Sequence, residues 1–485
     1  MKRILLVANI DSYFIRLIEI AELLKLKSGY KPVFYFPRFY PKVTDDIQAC
    51  RKKNISYVSD NAISFQKGWQ SPSMDATAGE NKNRIRKLLL QIYGLFFVGL
   101  VYEFISFFKE LKAANVIIKK INPSLVVLAG DNLGYNTATI IKICHKKNIP
   151  TVLVPSWMSA PIDCAEFLYY NPNHDCKKIS NWIIGVLYPK WIFKHRGKKI
   201  LRWPAFKIVI IKLFGLEPPL PWVLHSGYAD AIAAESQAMI ECMVREGLPK
   251  DNIILTGSLT NDIMVKNLQK AKKAKSALYK ELELPKNKPM ILFAVPPNQL
   301  YHYGRPECDF KTYNEMLEFW IKSLKAVKQY NTVISLHPSV KYEKMVYIEK
   351  WGGKIAKHKT SQLMPLCDIF IASISTTIQW AIACAKPVLN YDIYRYRYHE
   401  YDSAKGVITV EKKEDYKYYL DKLTKDKKYY KKIASLQDSC KREWGILDGK
   451  SAERLINLFN HLIVNKGLSK DFTNKISSKK NLRLV

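Results

Sequence analysis

Apolar residues fall along the chain in two alternating rhythms. Near the start, "ILLVA" at 4–8 is an unbroken apolar run of strand length, and in "FIRLIEIAELLKL" at 14–26 the apolar positions recur every three or four residues. The first pattern predicts a buried strand and the second an amphipathic helix. "KPVFYFP" at 31–37 reads as the next strand. Further on, "SLVVLAGDNLGYNTATIIKICHKKNIPTVLVP" at 124–155 gives a strand, a Gly/Asp/Asn turn, a helix and another strand, and "DAIAAES" and "NIILTGS" add two more strands around the helix "QAMIECMVREGL". Strands that are apolar throughout are buried on both faces, so the alternation predicts parallel, doubly wound α/β structure.

A second series of the same kind opens at 290 with "MILFAVPPN" and runs through "NTVISLHPS", "GKIAKH", "CDIFIAS", "KPVLNYD" and "GVITV". Between the two lies the lysine-rich "VKNLQKAKKAKSALYKELELPKNKP", helical in spacing and closed by prolines. The expected organisation is a first Rossmann-like domain over 1–265 with a basic aromatic insertion near 160–225, a linker helix at 266–285, a second Rossmann-like domain at 286–440, and a helix with a basic tail at 441–485. Two such domains predict a cleft between the carboxyl ends of both sheets.

Two stretches depart from this rhythm. "LLLQIYGLFFVGLVYEFISFF" at 88–108 has bilayer-spanning length and one ionisable residue, Glu103. A span there would strand part of one parallel sheet across a membrane, so a buried or interface-facing helix is the expectation. The stretch 177–212 carries ten Lys or Arg, no acid, and Trp182, Trp191 and Trp203. Cations interleaved with indoles suit an anionic lipid surface, and Trp182, Trp191, Lys198, Lys199 and Trp203 are the expected contacts. The alternative is a basic insertion folded against its own domain.

Charge sharpens the picture. Over 485 residues, 77 Lys and Arg stand against 43 Asp and Glu, a net charge of +34. That excess implies an anionic partner, although lysines scattered singly on solvated helix faces account for part of it. No nucleic-acid-binding module accompanies the basic stretch, so nucleic acid beyond a nucleotide is not expected. The nine cysteines include no C-x-x-C pair and no alternation with histidine, which predicts reduced cytosolic thiols and no zinc site. "MKRILLVANIDSYF" breaks its short apolar run at Asn9 and Asp11 and reads as a first strand rather than a secretory signal.

Candidate chemistry gathers at strand ends. In "SISTTIQWAIACAKPVLNYD" at 373–392, Ser373, Ser375, Thr376 and Thr377 precede an apolar helix, where hydroxyls and free backbone N–H groups suit a phosphate. Ordinary helix capping would need only one of them. His337 in "SLHPS" ends another strand of the second domain and could donate to a phosphate oxygen; Asn298 and Arg305 occupy the corresponding loop after "MILFAV". In the first domain, Asp131 in "LAGDNLGYN" stands at the mouth of a strand, as general base toward a sugar hydroxyl or as a cap for the next helix. Glu235 in "AAESQ" is the second carboxylate of this kind.

These landmarks resemble a family. "LVVLAGDN" is similar to the "GDT" strand of sugar-nucleotide epimerases of the UDP-N-acetylglucosamine 2-epimerase type, and "AAESQAMIECMVREGLPKDNIILTGSLTND" to a block those epimerases share with glycosyltransferases of the two-Rossmann GT-B architecture. "HPS" and "SISTTIQWAIACAKPVLNYD" resemble the donor-binding motifs of bacterial GT-B transferases of surface-polysaccharide assembly. The departures favour a transferase. The epimerases' histidine-valine-glutamate-alanine-glycine stretch is replaced by "VLVPSWM", which removes the catalytic glutamate, and Trp380 and Ala381 stand where that family has two glutamates. The resemblance implies an enzyme moving a sugar from a nucleotide-sugar donor to a lipid-linked or glycan acceptor, cytoplasmic and peripheral to the inner membrane face, with no metal or cofactor. The alternatives are an epimerase or hydrolase and a non-catalytic assembly scaffold.

Overall fold

The computed structural model describes residues 1–27, 29–37, 42–59, 95–131, 137–155, 161–225, 227–300, 307–337 and 340–469. They form two compact units. The first unit comprises residues 1–234, 240–255 and 453–482, and the second essentially 235–239 and 256–452.

The first unit is built on a seven-stranded parallel sheet in the order β3-β2-β1-β4-β5-β8-β9. Its opening half runs β1 (Lys2–Val7), α1 (Asp11–Leu26), β2 (Tyr30–Phe36), α2 (Val43–Lys52) and β3 (Ser56–Ser59). It continues with α3 (Phe96–Ile121), β4 (Leu125–Leu128), α4 (Thr137–Lys146), β5 (Thr151–Leu153) and α5 (Pro161–Leu168). Ile4, Leu5, Leu6 and Val7 and the whole of "LVVL" are sealed from solvent, as strands covered on both faces must be. An insertion follows: α6 (Ile179–Leu187), the antiparallel hairpin of β6 (Ile192–His195) and β7 (Lys198–Leu201), and α7 (Ala205–Leu213). The chain then rejoins the sheet through β8 (Ala231–Ala234), α8 (Gln237–Arg245) and β9 (Ile253–Leu255).

The second unit opens with α9 (Leu259–Gln269) and α10 (Ala271–Glu281). The lysine-rich stretch expected as one linker helix is thus two helices, broken at Lys270, and both belong to this compact unit. A six-stranded parallel sheet follows in the order β12-β11-β10-β13-β14-β15. Its chain order is β10 (Met290–Ala294), α11 (Tyr313–Lys325), β11 (Asn331–Ser335), β12 (Lys354–Ile355), α12 (Thr360–Leu363), β13 (Ile369–Ala372), α13 (Ile378–Ala383), β14 (Val388–Tyr391) and β15 (Val407–Val410). Two helices close it, α14 (Lys413–Lys425) and α15 (Lys427–Trp444). Its core is aromatic: Trp320 lies 4.7 Å from Phe293, and Tyr391 stacks on Tyr416 at 5.1 Å. The last helix, α16 (Ser451–Asn465), packs almost wholly with the first unit, so the boundary expected near 441 falls at 453.

Residues 88–94 of the long apolar stretch lie outside the described residues. Residues 96–108 form the first half of α3. No described helix is long and apolar enough to cross a membrane.

Candidate functional site

In a doubly wound sheet, ligands bind beyond the carboxyl ends of the strands, where the chain reverses its direction of travel across the sheet. In the second unit that reversal separates β10 from β13, because β11 and β12 lie on one side of β10 while β13, β14 and β15 lie on the other. The turn 373–377 leaves β13 at this point.

The turn's geometry is strained and braced. Ile374 has φ of 43°, in the left-handed region that a β-branched residue adopts only at a cost of about 1–3 kcal/mol. Its N–H donates to Asn390 Oδ1 at 2.9 Å, and Asn390 is fixed in turn by donating to Thr409 Oγ1 at 3.3 Å. The Tyr401 hydroxyl donates to the Ser375 carbonyl at 2.9 Å. Ser375 and Thr377 bond to each other at 2.8 Å, and Ser373 Oγ accepts from the Ile393 N–H at 3.4 Å. Residues 374–377 are half-buried, whereas Ser373 is buried. The helix these residues begin is short: α13 ends at Ala383, and Ala385 follows with φ of 54°. Its N-cap residue, Thr377, makes no side-chain cap. Ser375 Oγ instead accepts from the Thr377 N–H at 3.3 Å, and a helix of six residues contributes little dipole.

The loops beside the turn are tied together. Tyr394 donates to the Pro297 carbonyl at 2.7 Å, and the Gln299 N–H points at the Tyr394 hydroxyl from 3.4 Å. Asp392 accepts from the N–H groups of Tyr396 and Arg397, and Arg397 pairs with Glu307 and with Glu411. Asn298 accepts from the Leu300 N–H at 3.3 Å and so shapes its own loop. His337 is half-buried immediately after β11, and its carbonyl accepts from the Val340 N–H. Arg305 lies outside the described residues. The tract 390–401 holds Asn390 and Tyr401 and escaped the sequence reading; its signal was the run of tyrosines and arginines directly after a strand.

Asp131 follows β4 of the first unit after Ala129 and Gly130, but it is not exposed at a strand mouth. It is completely buried, and Oδ2 accepts from the Tyr228 N–H at 3.0 Å. The loop carrying Tyr228 is pinned to β5, because Asp230 accepts from both the N–H and the hydroxyl of Thr151 at 2.7 Å. Burial raises the Asp131 carboxyl to about 7, against the opposing pull of backbone N–H groups from 227–229. The neighbouring Gly130 is required by close approach, since a side chain there would collide with the Tyr13 hydroxyl. Asn132 lies outside the described residues.

Glu235, the other carboxylate singled out from the sequence, is buried within the second unit and engaged on both oxygens. It accepts from Ser258 Oγ at 2.6 Å, Trp380 Nε1 at 3.3 Å and Gln379 Nε2 at 3.4 Å. Trp380 stands where the resemblance led one to look for a carboxylate, and it serves as a donor to one.

The expected lipid contacts of the insertion divide. Trp182 is 60% exposed. Trp191 is fully buried and donates to Glu217 Oε1 at 3.3 Å, so it cannot meet a membrane. Trp203 is half-buried with the Lys207 ammonium 4.1 Å from its ring centre. Lys198 pairs with Asp175 at 3.0 Å, while Lys199 is exposed.

No protein-family model matches the chain, and no curated protein matches it. Among solved structures, a Listeria monocytogenes protein assigned as a UDP-N-acetylglucosamine 2-epimerase is similar, with a TM-score of 0.53 at 13% identity over 96% of this chain and 98% of the other. The Staphylococcus aureus MnaA–UDP co-structure follows at 0.50 and 13%, again over 96% and 98%. The wall teichoic acid polymerase TagF also gives 0.50, at 11% identity over 96% and 89%. At these identities the likeness is one of fold. The chain has the two-Rossmann architecture shared by UDP-N-acetylglucosamine 2-epimerases and GT-B glycosyltransferases.

Proposed function

We propose that the protein is a glycosyltransferase that moves a sugar from a nucleotide-sugar donor to a surface-polysaccharide or lipid-linked acceptor at the cytoplasmic face of the membrane. The observation that carries this reading is the turn 373–377: half-buried hydroxyls gathered at the reversal point of the second sheet, with the strained Ile374 held by Asn390. Such strain persists where surrounding bonds over-determine it, and it concentrates at ligand sites. Ser375, Thr376 and Thr377, joined by His337 and by Asn298 of the neighbouring loop, hold the donor's phosphates.

In the reaction the acceptor hydroxyl oxygen bonds to the anomeric carbon as the bond from that carbon to the phosphate oxygen breaks. The nucleoside diphosphate leaves with the electron pair, and hydrogen-bond donors stabilise it without reorganising. The acceptor's proton needs a general base; we assign that role to Asp131, whose carboxyl is raised to about 7 by burial and which, closed off from solvent in the free chain, must be uncovered before it can act. Glu235, saturated by three side-chain donors, positions Ser258 and α13 instead of exchanging protons.

An epimerase would share this fold, and the similar Listeria monocytogenes structure is assigned as one. It would need further carboxylates, whereas Trp380 and Ala381 occupy the turn's downstream positions. The deciding experiment incubates the protein with UDP-, CMP- and GDP-sugars, with and without membrane extract. UDP-sugars come first, because the similar Staphylococcus aureus structure holds UDP. Sugar incorporated only with extract is the expected result. Isomerisation without an acceptor would establish the epimerase, and binding without turnover the scaffold.

A further inference from the structure

The helix α6 is amphipathic in the wrong sense for a soluble domain. Its inner face buries Asn181, Ile184 and Gly185. Asn181 is a structural anchor: Nδ2 donates to the carbonyls of Asn173 and Asp175 at 3.0 and 2.9 Å, and Oδ1 accepts from the Ala205 N–H at 3.0 Å. Gly185 is pressed so closely that a Cβ would meet Ile192 at 2.6 Å. The outer face shows Ile179, Trp182, Ile183, Val186 and Leu187 to solvent, with Ile179 76% exposed. Apolar residues at i, i+3, i+4, i+7 and i+8 normally mark the buried stripe of a helix. Here the polar and small side is locked down and the apolar stripe faces out.

The first half of α3 repeats the arrangement. Gly99, Glu103 and Phe107 are buried; Gly99 leaves room for Phe206, and Glu103 reaches Lys207 at 3.8 Å. Phe97, Val101, Phe104, Ile105 and Phe108 face outward, with Phe97 77% exposed. After Phe108 the same helix turns lysines to solvent at 109, 112, 119 and 120. Both helices pack on α7, and Phe107, Ile184 and Ile208 share one apolar cluster. Lys177 and Lys178 stand exposed at the head of α6, and no acid occurs from 177 to 212.

We propose that the outward faces of α3 and α6 insert into one leaflet of an anionic bilayer, with the flanking lysines at the headgroup phosphates. The apolar stripes need an apolar medium, and the lysines beside them select an anionic one. Neither helix is one that could cross the bilayer, so both lie within the interface. This inference deepens the membrane-seated reading given above. It moves the anchor away from Trp191, Trp203 and Lys198, which are engaged within the protein, and onto exposed aliphatic and phenyl side chains.

The full chain is sedimented with vesicles of phosphatidylcholine alone and of phosphatidylcholine with phosphatidylglycerol, without donor or acceptor, so the outcome is independent of any sugar transfer. Binding should favour the anionic vesicles by about tenfold or more and survive in part at high salt, because insertion is not screened. Trp182→Glu with Val186→Glu, and separately Phe97→Glu with Val101→Glu, should each weaken partitioning about tenfold or more, at unchanged melting temperature. Tryptophan emission should be quenched by brominated lipid in the wild type and much less in Trp182→Phe. Undiminished vesicle binding of the combined variant would overturn the proposal. So would a wild-type dimer that these substitutions convert to monomer, since a second copy would then cover the faces. If the variants lose vesicle binding yet no sugar transfer is ever found, the surface stands and the enzymatic reading falls.

Discussion

The carboxyl edges of the two sheets solve opposite problems. At the first, the Asp131 carboxylate is taken wholly out of water and its proton affinity is raised to about 7. At the second, neutral hydroxyls and N–H groups stay half-buried on a turn whose strain is held by Asn390 and Tyr401. The one edge is suited to holding a proton and the other to holding an anion. Two units of related topology thus present different groups at their strand ends through their loops, since the fold sets where a ligand binds and not what happens to it.

Removing the charge from the first edge should have the largest effect. Asp131→Asn keeps the shape and the capacity to accept from Tyr228, yet should lower turnover roughly 100- to 10,000-fold with donor affinity nearly unchanged, as measured by initial rates and donor titration. The wild-type rate should rise with pH through about 7 as the carboxyl ionises. Stability should move the other way. The folded value lies above the ordinary 3.8, so the folded chain retains a proton that the unfolded chain releases. That contribution, about 4 kcal/mol for a rise of about three pH units, is complete below about pH 4 and is lost as pH rises through about 7. Denaturant melts of Asp131→Asn should lack this loss. A variant that turns over normally would remove the proton-holding role from the first edge.

His337→Ala tests the second edge next. Donor binding or turnover should weaken on the order of tenfold to 100-fold, with stability falling less than the several kcal/mol of a core truncation. A variant that unfolds readily but works normally when folded would make His337 structural.

Glu235→Gln separates a clamp from a catalyst. One of the donors on this carboxylate would face an amide nitrogen, so melts should show a loss of about 1–3 kcal/mol while turnover stays within a few-fold. A rate loss of 100-fold at unchanged stability would restore Glu235 to the chemistry. The smallest effect is expected from Asn390→Ala, which frees the Ile374 N–H: about 1 kcal/mol of stability and a few-fold in donor affinity.

The sheets themselves were legible in the sequence, because strands buried on both faces leave unbroken runs such as "ILLV" and "MILFA". The order of the candidate residues along those strand ends was legible too. Their environments were not, because each depends on partners far away in the chain. Asp131 accepts from Tyr228 and Glu235 from Ser258 and Trp380, while Trp191 donates to Glu217. Nor could local preference find the turn's geometry, since an isoleucine is among the residues least suited to φ of 43°. The end of α13 carries no glycine: Ala385 takes the left-handed position at which glycine is the usual signal. On α6 the apolar stripe faces outward, because the side that packs inward is the one holding Asn181 and Gly185.

The central claim is that the turn 373–377 holds the donor's phosphates, and calorimetric titration of UDP and UDP-sugars into the wild type and the double variant Thr376→Val/Thr377→Val tests it most directly. Valine preserves the β-branched shape and deletes both hydroxyls. The account predicts an intact fold with donor affinity lowered by about 1–3 kcal/mol, on the order of tenfold to 100-fold. Equal affinity in a well-folded double variant would contradict it.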